Sequence, residues 1–65
     1  MTPPAKPRRH FIAWSPNRER AFYAITERKA RFLAREYEWD VGMKHRPTWR
    51  HVSEELGWRV TEVSE

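Results

Sequence analysis

His51 and Glu55 stand four residues apart in the run H-V-S-E-E, so on a helix they share one face. That pair could begin a metal site, with His45 or His10 as a third ligand. Far more often such a pair is an ion pair facing solvent, and it is read as one. The chain has no cysteine, which excludes thiolate metal sites and disulfides. Its two glycines, Gly42 and Gly57, make no phosphate-cradling loop. No Ser or Thr is spaced with a His and a carboxylate so as to favour a nucleophile. The expectation is a non-enzyme with no cofactor, no bound metal and no small-molecule substrate.

The remaining chemistry is that of arginine. Thirteen Lys and Arg against nine Asp and Glu give a net charge of +4 and a pI near 10.1. Arginine binds phosphate through two parallel N–H donors, which makes nucleic acid the first partner to consider. A charge of this size serves solubility equally well. The basic residues fall in two stretches of interest. Lys44, Arg46, Arg50 and His51 surround Pro47-Thr48. Lys6, Arg8 and Arg9 lie in MTPPAKPRRH, where Pro3, Pro4 and Pro7 favour extended backbone. Residues 1–10 therefore read as a basic arm, able to follow a phosphate backbone or enter a minor groove, or simply a solvated terminus.

Several elements must position these groups. Phe11-Ile12-Ala13-Trp14 reads as a strand or an extended segment pinned to the core. Ser15-Pro16 has the form of a helix N-cap followed by proline at the first helical position. From Pro16 to about Trp39 no residue breaks a helix. Phe22, Ile25, Phe32, Leu33 and Tyr37 fall on one side of it, with Arg20, Glu27, Arg31, Arg35 and Glu38 opposite. Residues 40–46 read as a loop. Thr48 is then a good N-cap for a short helix carrying Trp49, Val52 and Leu56, and Gly57 suits a left-handed turn after it. Beyond Gly57, Trp58 and Val63 could lock a second helix onto the first. Alternatively, the β-branched run 58–63 could form a strand against 11–14.

Residues 47–65 resemble the helix-turn-helix of bacterial and phage regulators, and within that group the winged-helix N-terminal domain of LexA-type repressors. The places that carry the likeness are Pro47-Thr48, Ser53, Leu56-Gly57 and Val63. The resemblance implies a recognition helix after Gly57 whose Arg59, Thr61, Glu62 and Ser64 face the major groove. Lys44, Arg46, Arg50 and His51 would then hold phosphates.

The combined expectation is a mostly α, small helical domain spanning 11–65 behind the basic arm 1–10. It has one long helix plus a helix-turn-helix-like pair, with a possible two-stranded sheet joining 11–14 to 58–63. Its expected function is to bind double-stranded DNA as a small bacterial or phage transcriptional regulator, as a homodimer or with a protein partner. The DNA-binding residues would be Lys44, Arg46, Arg50, His51, Arg59, Thr61, Ser64, Arg8 and Arg9. The alternative is an adaptor or inhibitor that binds a protein of a nucleic-acid machine. No apolar run approaches a membrane span and no secretory leader is evident, so a cytoplasmic location is expected.

Overall fold

The computed structural model describes residues 9–64. It corrects the mostly α expectation: the centre of the molecule is a three-stranded antiparallel sheet in the order β2-β1-β3. Strand β1 is Arg9–Trp14, β2 is Ala21–Ala24 and β3 is Arg59–Ser64, with the helix α1, Glu27–Tyr37, between β2 and β3 in sequence. The pairing left open between 11–14 and the tail does form. Phe11 lies opposite Glu62, Ala13 opposite Val60 and Trp14 opposite Arg59.

The expected helix from Pro16 fails at its start. Ser15-Pro16 opens a reverse turn instead, in which the Arg18 N–H donates to the Ser15 carbonyl at 2.9 Å. Proline at the second position of a type I turn is as well placed as at the start of a helix, so local sequence alone permits both. Ser15 decides it. Its N–H donates to the Arg20 carbonyl, and its buried hydroxyl accepts from the Arg20 N–H at 3.0 Å. Ala21–Ala24 then pairs with β1, placing Phe22 opposite Ala13 and Ala24 opposite Phe11. Helix α1 begins eleven residues later than expected, at Glu27, where Thr26 Oγ1 accepts from the Lys29 N–H at 3.1 Å. Ile25, assigned to the apolar stripe, lies between the two elements and is 81% exposed.

Helix α1 packs on the sheet through Ala30 and Ala34, both fully buried. They stand four residues apart and so meet the sheet from one face. Ala13 and Ala24 answer them from the sheet, in the same cluster as Phe11, Phe22, Leu33 and Val60. Small residues on both surfaces let the backbones come close.

Trp58 fills the end of this layer and has no exposed surface. It stacks on Phe22 at 5.9 Å between centroids, and the Tyr37 ring meets it edge-on at 5.7 Å. Its indole N–H donates to Glu38 Oε1 at 3.0 Å, so the polar end of the buried ring is satisfied.

The stretch from Thr48 to Gly57 folds largely as read. Thr48 caps it, with Oγ1 accepting from the His51 N–H at 3.2 Å. Residues His51–Glu55 are wound as a wide π-turn, and the Leu56 N–H donates to the His51 carbonyl five residues back. Val52 is buried, and Trp49 and Leu56 pack beside it. Gly57 takes a φ of 91°. The next element is β3, so the second helix of a helix-turn-helix does not occur among the described residues. Val60 opposes Ala13 on the α1 side and Val63 opposes His10 on the other face, so the two valines are shared between the faces of a strand for which β1 supplies the partner.

The expected division also shifts. Arg9 and His10, assigned to the arm, are the first residues of β1. The rest of the arm, with Arg8, lies outside the described residues.

Candidate nucleic-acid interface

Pleating sorts the sheet residues into two faces. Phe11, Ala13, Phe22, Ala24 and Val60 face α1 and the core. The intervening residues therefore form the other face: His10, Ile12 and Trp14 on β1, Ala21 and Tyr23 on β2, and Arg59, Thr61 and Val63 on β3. Among the described residues no element covers this face. Tyr23 on β2 is 66% exposed, and Arg59 and Thr61 are exposed across β1 from it, on β3. Ile12 is nonetheless 7% exposed. It belongs to the central strand, and the directly opposed Tyr23 and Thr61 flank it on either side.

The outer face carries rings and cations together. The Trp14 indole N–H donates to Thr61 Oγ1 at 3.0 Å, so the ring leans across toward β3. The guanidinium of Arg18 lies 5.9 Å from the Trp14 ring centroid, within cation–π range. Arg18 reaches there from the β1–β2 turn, where its φ of 60° is the left-handed geometry that ends the turn. His10 and Tyr23 form a second pair, with centroids 6.4 Å apart and rings inclined at 46°. None of the strand residues of this face is acidic. Glu62 projects from the opposite face, where it pairs with Arg9 at 3.5 Å, and Glu19 belongs to the turn.

The residues expected to bind DNA are dispersed by this fold. Arg59 and Thr61 share the outer face. Ser64 lies opposite Arg9 at the far end of β3, on the α1 side. Arg46 is half-buried against α1: its guanidinium lies 4.5 Å from the Phe32 centroid and 5.0 Å from the Trp39 centroid, and it pairs with Glu36. Arg50 pairs with Glu54 at 3.0 Å, and His51 pairs with Glu55. Each of these side chains thus has a glutamate beside it. Lys44 is exposed in the loop before Arg46. Of the group Lys44, Arg46, Arg50 and His51, Lys44 alone has no glutamate ion pair among the described residues. No three His, Asp or Glu residues lie together as a metal site among the described residues.

Sequence reasoning missed Trp14, Arg18 and Tyr23 as functional candidates. The signal was present in the alternation of His10, Ile12 and Trp14, once the segment is read as a strand with only one face buried. Ser15-Pro16, read as the start of a helix, concealed the hairpin that brings Tyr23 and Arg18 beside it.

A second basic surface lies along α1, where Arg28, Arg31 and Arg35 flank a shallow groove closed by Trp49. Two of its cations have partners already. Arg31 pairs with Glu27 and stands over the Trp49 ring at 5.4 Å, and Arg35 Nε donates to the Pro47 carbonyl at 2.8 Å. That surface ties α1 to the Thr48–Gly57 segment, which accounts for most of its arginines.

No protein-family model, curated protein or solved structure matches this chain. Among the described residues no helix is long and apolar enough to cross a membrane.

Proposed function

We propose that this chain is a nucleic-acid-binding protein that acts by binding alone. The observation that carries the reading is the outer sheet face, where Arg18 and Arg59 stand with Trp14, Tyr23 and His10 and no strand residue is acidic. Cations supply attraction to phosphate, and aromatic rings offer their faces to bases, so one surface provides both parts of nucleic-acid recognition. Reading of the major groove by a helix is not part of this proposal, because residues Arg59–Ser64 are a strand.

The test is equilibrium binding of the full chain to labelled duplex and single-stranded oligonucleotides at low salt. The expected result is binding to at least one of them that weakens as salt rises, and that weakens further in Arg59→Gln. Absence of binding to both at low salt overturns the proposal.

A second reading is favoured by one specific observation, the outer edge of β3. Among the described residues this strand of six residues pairs with β1 on one side only. An unpaired edge can accept an extended peptide as an added strand, the behaviour expected of an adaptor. Arg59 and Glu62 on that strand work against indiscriminate pairing, so the edge ranks second.

A further inference from the structure

We infer that the nucleic acid taken by the outer sheet face is single-stranded, with bases of one strand stacked on Trp14 and Tyr23. This rests on the proposed function and adds the ligand's class. Three features of the face carry it.

The first is ring placement. Trp14 lies opposite Ala21, so Tyr23 is its diagonal neighbour across β1 and β2. The Trp14 ring leans toward β3 and the Tyr23 ring toward His10, so the two are separate platforms, each able to take a base splayed from one extended strand. Within a duplex the base faces are covered by neighbouring pairs, and a ring on a sheet surface cannot reach them. Single strands offer those faces freely.

The second is that Trp14 is fixed in place. Its hydrogen bond to Thr61 ties the indole to β3, and Arg18 approaches the ring from the turn. A fixed ring loses little freedom when a base stacks on it, which favours binding.

The third is where the cations lie. Arg18 stands beyond the Trp14 end of β1, and Arg59 lies opposite Trp14 on β3. Both are beside the rings, on the track a backbone follows when its bases turn inward onto the sheet. The α1 surface has no comparable arrangement, since Arg31 and Arg35 are occupied. Base stacking is tolerant of sequence, because every base presents a π-face. The ligand is therefore a single-stranded segment recognised with weak sequence preference.

The experiment compares a labelled oligothymidine, its RNA counterpart and a duplex of equal length, all titrated with the full chain in one low-salt buffer. Two variants accompany the native chain, Tyr23→Thr and Trp14→Leu. Tyr23 is largely exposed and threonine suits a strand, so Tyr23→Thr keeps the fold, and its thermal unfolding is recorded to confirm this. The single strand is expected to bind at least tenfold more tightly than the duplex. Each variant is expected to weaken that binding about 5- to 150-fold, equivalent to the ~1–3 kcal/mol that one base–aromatic stack contributes. Quenching of tryptophan fluorescence by the unlabelled single strand, reduced in Trp14→Leu, is the spectroscopic sign of stacking. Tighter binding in the DNA or the RNA arm identifies the preferred sugar. Duplex binding equal to or stronger than single-strand binding overturns the inference while leaving nucleic-acid binding intact. Unchanged single-strand affinity in Tyr23→Thr with a folded protein also overturns it.

Discussion

Arg46 shows how one residue's surroundings decide whether its charge is available. It sits between the rings of Phe32 and Trp39, pairs with Glu36, and has its Nε buried without a hydrogen-bond partner. A planar guanidinium lies flat between two rings, and an ammonium does not. Arg46→Lys is therefore expected to keep the charge yet lower stability by about 1 kcal/mol, from weakened cation–π contact. Urea unfolding measures the loss, and nucleic-acid affinity measured beside it should stay within about twofold, since charge is conserved. A large loss of affinity in a fully folded Arg46→Lys would show that Arg46 reaches the ligand after all. Gly57 presents the opposite case, in which the residue's identity follows from the backbone alone. At a φ of 91° a Cβ is strained, although the nearest side chain, Pro16, would be at an ordinary 3.5 Å. Gly57→Ala should cost about 1–2 kcal/mol from conformation and little from crowding. A neutral result in thermal unfolding would mean that the turn readjusts.

At the scale of elements, the helix and sheet are joined by alanines. Ala30 and Ala34 are fully buried against a sheet that presents Ala13 and Ala24. Ala34→Leu should therefore destabilise by about 1–3 kcal/mol, because added methylenes have no space without moving α1 off the sheet. The same substitution at the exposed Arg28 should change stability by less than about 0.5 kcal/mol. Denaturant midpoints separate the two, and equal midpoints would contradict the packing described. These alanines also show what the sequence made legible. The end of α1 near Trp39, the Thr48 cap and the left-handed Gly57 follow from local chemistry and could be read directly. The start of α1 could not. Ser15-Pro16 satisfies a turn and a helix start equally, and the choice between them depends on β1 being available to pair with Ala21–Ala24. Val60, Thr61 and Val63 likewise reveal a strand only when their partner is known. Long-range pairing decided both, and with it which residues form a surface. Side-chain size was no guide to burial, since Tyr23 is exposed and Ala30 is buried.

For the whole molecule, the decisive property is how its charge is distributed. A net charge of +4 in 65 residues is modest, and five of the thirteen Lys and Arg side chains are engaged within the fold. Arg9, Arg31, Arg46 and Arg50 each pair with a glutamate, and Arg35 is bonded to the Pro47 carbonyl. Surface ion pairs of this kind add little stability, and each places a carboxylate beside its cation, which repels a polyanion. On the proposed outer-face reading, only the cations near that face should affect the salt dependence of binding. Each phosphate contact to a single strand contributes about 0.7 to the slope of log affinity against log salt. The double variant Arg18→Asn with Arg59→Gln should therefore reduce the magnitude of that slope by about 1.4. Asparagine is chosen because it accepts the φ of 60° at position 18 and so preserves the hairpin. Arg50→Gln removes the same charge from the far side of the molecule and should leave the slope unchanged, apart from a small loss of long-range attraction. If Arg50→Gln lowers the slope as much as either substitution on the face, binding follows total charge and the sheet has no special part in it. A slope lowered only by Arg18→Asn and Arg59→Gln would place the backbone across the Trp14 end of the sheet, where both cations lie.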